Sequence, residues 1–133
     1  MDRHVTRSAL ARAIGLGSAK SGFEHWWAER VSAIALVPLT LWFAAVLIAH
    51  TSGDYAAFIA WLRNPLAAIL MILLLIALFH HTALGLQVVI EDYVHTGIKL
   101  VVIVAVRLGC FALATAGIVA TLGIAFSGWA GAP

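Results

Sequence analysis

Apolar residues in this chain come in long unbroken runs. Three of them, roughly 31–50, 65–90 and 100–126, contain no Asp, Glu or Lys and a single arginine, Arg107. Each reaches the ~20 residues with which a helix rising 1.5 Å per residue crosses ~30 Å of hydrocarbon. The pattern predicts an all-α membrane protein with three transmembrane helices, at about 31–50, 65–93 and 99–126. Polar connections separate them, and a basic Ser-, Gly- and Ala-containing stretch precedes the first.

Composition supports the membrane reading. Of 133 residues, 63% are hydrophobic and 11% charged, with a mean hydropathy of +1.03. So few polar groups would not cover a soluble domain of this size. The length allows one domain: a flexible N-terminal segment, 1–22, and a three-helix anchor, 23–133. The segment is not a secretory signal, because Arg3, Arg7, Arg12 and Lys20 are spread through it and no apolar core appears before Val31. Asp2 and the shortness of any amphipathic stretch argue against a transit peptide. Cys110 is the one cysteine, which excludes an intrachain disulfide and a thiolate metal site and reads as a small buried hydrophobe.

Charge sets the orientation. Arg3, Arg7, Arg12, Lys20 and Arg30 precede the first run, Arg63 alone occupies the first connection, and no Lys or Arg follows Phe126. The positive-inside bias puts the N-terminus in the cytoplasm and the C-terminus outside. Trp26 and Trp27 then mark the inner interface, and Tyr55, Trp61 and Trp129 the outer. The net charge of +2 reflects this bias and gives no reason to expect nucleic acid as a partner.

Orientation turns position into depth. The stretch FHHTALGLQVVIEDYVHTG, residues 79–97, sets two adjacent histidines inside the second run. His81 is ten residues before Glu91, so ~15 Å from the inner surface and close to the bilayer midplane. An ionisable residue there is costly and is a functional candidate by default. His80 points ~100° away, so the two cannot share one task. Gly85, one turn beyond His81, leaves room for a helix or a flat macrocycle to approach.

A neutral imidazole in an apolar bundle suits an axial ligand of haem iron. It suits equally a histidine that only hydrogen-bonds a neighbouring helix. Ten residues in from the inner ends of the first and third runs lie Leu41 and Gly109, with no histidine near either, and His25 and His50 stand at the ends. The chain therefore supplies one ligand, and another protein must bring any second one.

Asp92 and Tyr93 close the second helix at the inner interface, and Asp92 lies eleven residues, three turns, from His81 on nearly the same face. A tyrosine hydroxyl donates to a carbonyl oxygen, and an adjacent carboxylate relays protons from water. That pair suits quinone reduction at the membrane edge; it also suits an interfacial tyrosine beside carboxylates that end a helix. Glu91 reads as a solvated charge, His95 as a loop histidine and Lys99 as a headgroup contact. Arg107 either snorkels inward or pairs within the bundle.

His81, Gly85 and Gln87 followed by Asp92-Tyr93 resemble the H-x3-G…D-Y signature of the hydrophobic membrane-anchor family of succinate dehydrogenase, respiratory complex II. The stretch GSAKSGFEHWWAERVSAIALVPLTLW, residues 17–42, is similar to that family's lead-in to its first helix, where an Arg precedes a small-residue run such as Ser32-Ala33-Ile34-Ala35. The resemblance covers roughly 17–126. It implies pairing with a second three-helix membrane anchor in a heterodimeric bundle, which holds an iron–sulfur subunit and a flavoprotein subunit on the cytoplasmic or matrix face. By that resemblance His81 matches a ligand of a haem b shared with the second anchor, and Arg30 lies near the haem propionates. Tyr93 and Asp92 match the ubiquinone-binding residue and its neighbour in proton delivery. The implied location is the bacterial cytoplasmic membrane, or the mitochondrial inner membrane in a eukaryote.

No flavin or nucleotide motif and no cluster-ligating cysteines are present, so the chain is not expected to oxidise succinate itself. A quinol:fumarate reductase anchor, differing in direction, and a non-redox structural membrane protein remain as alternatives.

Overall fold

A computed structural model describes residues 18–50 and 53–129, with side chains described over 22–50 and 53–127. Four helices account for almost all of it: α1 (Ser18–Ala49), α2 (Tyr55–Leu62), α3 (Pro65–Tyr93) and α4 (Lys99–Trp129). Three of these, α1, α3 and α4, are long and apolar enough to cross a membrane, as the apolar runs predict.

Helix α1 differs from the expectation at its start. It begins at Ser18, thirteen residues before the apolar run at Val31. Helical hydrogen bonding does not depend on hydrocarbon, and these added turns carry an interfacial aromatic cluster. Phe23 stacks on Trp26 and Trp27 at centroid separations of 6.2 and 6.5 Å, the amphipathic contact suited to the headgroup layer. Residues 18–22, assigned by sequence to a flexible segment, are helical; the rest of that segment, 1–17, lies outside the described residues. Pro38 sits within α1, and the nearby Thr40 hydroxyl bonds back to the carbonyl of Leu36 at 2.6 Å.

The first connection contains α2, which its apolar pattern is too short to announce. Asp54 caps it by accepting from the Ala57 amide at 2.9 Å. Its Trp61 packs against Trp42 of α1 at 5.7 Å and against His50 at 5.8 Å. Asn64 then caps α3, accepting from the Leu66 amide at 2.9 Å, with Pro65 in the first turn, where a missing N–H is harmless.

Helix α3 is the middle of a single layer. It packs against α1 on one side and α4 on the other, and α1 and α4 do not approach each other. Leu62, Met71 and Leu74 form the buried cluster, surrounded by Leu36, Leu39 and Phe43 of α1 and Ile124 of α4. Where α4 meets α3, Gly117 admits Leu75 so closely that a Cβ would lie 3.0 Å from its Cδ1. Elsewhere large apolar side chains point outward, including Ile34, Leu41, Leu108 and Phe111. A one-layer arrangement leaves both faces of α3 open to lipid or to another protein.

Candidate functional site

Helical period places His81. Ala67, Leu74 and His81 recur every seven residues, two turns apart, so the histidine continues the stripe by which α3 packs. Across that seam α1 presents Ser32, which is only 7% exposed. The Ser32 hydroxyl lies 3.1 Å from His81 Nδ1 and donates to the main-chain carbonyl of Glu29 at 2.9 Å. A serine whose one proton is on that carbonyl can accept from a protonated His81 Nδ1, the tautomer that has its lone pair on Nε2. Among the described residues Nε2 has no partner, and it is not sealed in; the buried side-chain nitrogen without a partner is that of His25.

The contact revises the depth assignment. Counting inward from Val31 makes Leu41 level with His81, but the structure makes Ser32 level with it. The inner end of α1 lies well before the apolar run. Counts from the outer ends agree with the structure: Ser32 is seventeen residues before Ala49, and His81 sixteen after Pro65. That count reaches Ser32 only once the structure has fixed where α1 and α3 end at the outer side.

The two histidines separate as expected. His80 is exposed and lines two open grooves, one between α3 and α4 of about 470 Å³ beside Cys110 and Phe111. The other, about 460 Å³, lies between α1 and α3 beside Trp27 and Ser32. Neither groove is lined by His81. At Gly85 a Cβ would meet nothing within 4 Å, so no described part of this chain uses the close approach that glycine allows. The described residues contain no group of three or more His, Cys, Asp and Glu able to hold a metal ion.

Toward the inner end a polar chain ties α3 to α4. Arg107 donates to Gln87 Oε1 at 2.5 Å, and Gln87 donates onward to Glu91 Oε1 at 2.7 Å. Arg107 thus pairs within the bundle. Lys99 donates to the main-chain carbonyl of Glu91 at 3.0 Å, satisfying a carbonyl of the last turn of α3. Reading Glu91 as a solvated charge misses this chain; a glutamine and a carboxylate four residues apart are its signal in the sequence.

The remaining candidates are not brought together. Asp92 and Tyr93 are exposed at the end of α3, Tyr93 by 82%, and their side chains make no hydrogen bond to described residues. Arg30 is exposed on α1, its guanidinium 4.9 Å from the centroid of the Trp26 ring. Within this chain, then, the structure joins His81 to Ser32 and leaves the other sites open on its surface.

Comparison with known proteins agrees with this architecture. The profile of the family described as succinate dehydrogenase/fumarate reductase transmembrane subunit matches residues 5–126. A succinate dehydrogenase hydrophobic membrane anchor subunit of Rickettsia bellii is 37% identical over 103 residues, 77% of this chain and 82% of that protein. The protein of the same description from Paracoccus denitrificans is 33% identical over 115 residues, 86% of this chain and 88% of that protein. No solved structure matches the chain.

Proposed function

The chain belongs to the succinate dehydrogenase/fumarate reductase transmembrane-subunit family, and from that premise we propose that it is one half of a haem b and quinone-binding bundle. Its three long helices hold the complex in the bacterial cytoplasmic membrane with the N-terminus inside. A second membrane anchor covers one open face of the α1–α3–α4 layer. The iron–sulfur and flavoprotein partners bind on the inner side.

The observation that carries the reading is the presentation of His81. Its Nδ1 is engaged by a buried serine, and its Nε2 has no partner among the described residues. A metal-ligating histidine takes this arrangement, its far ring nitrogen held by a second group. His81 would hold haem iron together with a histidine of the second anchor. Arg30, on the inner side of Ser32, would hold the propionates by charge-assisted hydrogen bonds. The second anchor and the lipid around it would keep water from the ligand nitrogen. Haem b, when bound, supplies a one-electron carrier within the membrane.

Tyr93 and Asp92 act at the inner edge. The Tyr93 hydroxyl donates to a carbonyl oxygen of ubiquinone, and Asp92 passes protons from the aqueous side. Two electrons from the iron–sulfur partner and two protons from water convert the quinone to quinol. In a quinol:fumarate reductase the same groups would serve the reverse flow.

The test begins with purification of the intact complex through this chain and identification of the proteins attached to it. A reduced-minus-oxidised spectrum follows, on wild type, His81→Ala and His80→Ala. Loss or alteration of the haem b band in His81→Ala alone supports the reading. Alteration in His80→Ala alone moves ligation by one residue, and no haem b band in any preparation leaves a structural membrane protein.

A further inference from the structure

We infer that Ser32 of α1 is the positioning residue of the haem ligand: one buried hydroxyl selects which nitrogen of His81 is presented to iron and fixes the plane of its ring. The inference rests on the haem reading above.

The protons available to the pair decide which way each bond points. A serine hydroxyl has one proton and two lone pairs. Ser32 Oγ has two short contacts, the Glu29 carbonyl at 2.9 Å and His81 Nδ1 at 3.1 Å. If the proton went to Nδ1, the oxygen–oxygen contact with Glu29 would hold no proton, and Nε2 would carry one and be blocked as a ligand. If the proton goes to the carbonyl, both contacts are hydrogen bonds, Nδ1–H donates to Oγ, and Nε2 keeps its lone pair. The arrangement that satisfies both contacts is also the one that permits ligation.

Three consequences follow. The tautomer is set by the fold before any metal is present. Rotation of the ring about its bond to Cβ would break the Nδ1–H bond, so the ring plane is tied to α1. Donation from Nδ1–H also raises the electron density that Nε2 offers to iron. At 7% exposure Ser32 meets little competition from water, so the hydrogen bond keeps its strength. Threonine can repeat the device, because its Oγ1 also bonds carbonyls three or four residues back in a helix. Alanine cannot.

The test uses the intact complex in membranes carrying Ser32→Ala, Ser32→Thr or His81→Ala, read by the low-spin EPR spectrum of oxidised haem b and by its reduction midpoint. Ser32→Ala should retain haem, shift the EPR g-values and raise the midpoint, because a weaker donor stabilises ferric iron less. Ser32→Thr should match wild type in both, and His81→Ala should lose the bis-histidine signature. Wild-type g-values and midpoint in Ser32→Ala, with the signature lost in His81→Ala, would leave His81 as ligand and overturn the role of Ser32. Equal shifts in the Ala and Thr variants would also overturn it, by assigning the effect to packing. Retention of the signature in His81→Ala would instead move ligation away from His81 and remove the premise of the proposal, and absence of haem b from wild type would defeat the haem reading itself. Should Ser32→Ala fail to assemble, the nearly isosteric Ser32→Cys gives the same comparison, and wild-type values there count against the proposal.

Discussion

Replacing Tyr93 with phenylalanine isolates a single hydroxyl. The side chain is 82% exposed at the end of α3 and bonds to no described residue, so removing its oxygen breaks no contact within the chain. The stability cost should therefore stay within the ~0.5 kcal/mol typical of surface substitutions, and the retained ring keeps its interfacial packing. On the proposed function, what is removed is a donor to a quinone oxygen that gains negative charge during reduction. Losing one such donor costs ~3 kcal/mol, or ~100-fold in rate. The assay is succinate-driven ubiquinone reduction by membranes, paired with electron transfer to a soluble artificial acceptor that draws electrons before they reach the membrane. The first rate should fall ~100-fold while the second stays near wild type. If both fell together, Tyr93 would be holding the complex together. If neither fell, quinone would bind elsewhere, and the assignment of the inner end of α3 would be wrong.

Asp92→Asn should slow quinone reduction less than Tyr93→Phe, by ~10-fold or under, because water partly replaces a proton relay; a loss equal to that of Tyr93→Phe would make Asp92 a direct quinone contact. Arg107→Leu should loosen α3 from α4, since it removes the donor to Gln87; a fall of ~0.5–1.5 kcal/mol in the stability of the complex is expected for this exposed contact, and an unchanged melting temperature would show the polar chain to be dispensable. Gly117→Phe should cost ~1–3 kcal/mol or block assembly, because even a Cβ meets Leu75 at 3.0 Å, whereas Gly117→Ala, pressing only on the end of a flexible leucine, should assemble normally. A reporter fused after Pro133 should read as periplasmic and one at Asp2 as cytoplasmic, from the five basic residues before the first apolar run against none after the third; both on one side would contradict three spans.

The number and kind of the long helices were legible in the linear sequence because a hydrocarbon solvent imposes its thickness on any chain that crosses it. Three apolar runs of sufficient length leave little freedom, and α1, α3 and α4 are those runs. The distinction between His80 and His81 was legible too, since adjacent residues on a helix must face different ways. Helix ends in the wet layers were not, because polar residues there neither require nor forbid helix; hence α1 begins at Ser18, and α2 is hidden in a connection. The pairing of His81 with Ser32 depends on how far two helices slide along each other, and apolar runs are nearly uniform along their length. That slide is decided by side-chain packing around Leu62, Met71 and Leu74 and by the aromatic contacts of Trp61. The union of Gln87, Glu91 and Arg107 arises the same way, from the crossing of α3 and α4 that Gly117 allows. Residue chemistry and the number of spans are properties of the chain itself; which residues of two helices stand level, and so which hydroxyl meets which nitrogen, is a property of the packed helices.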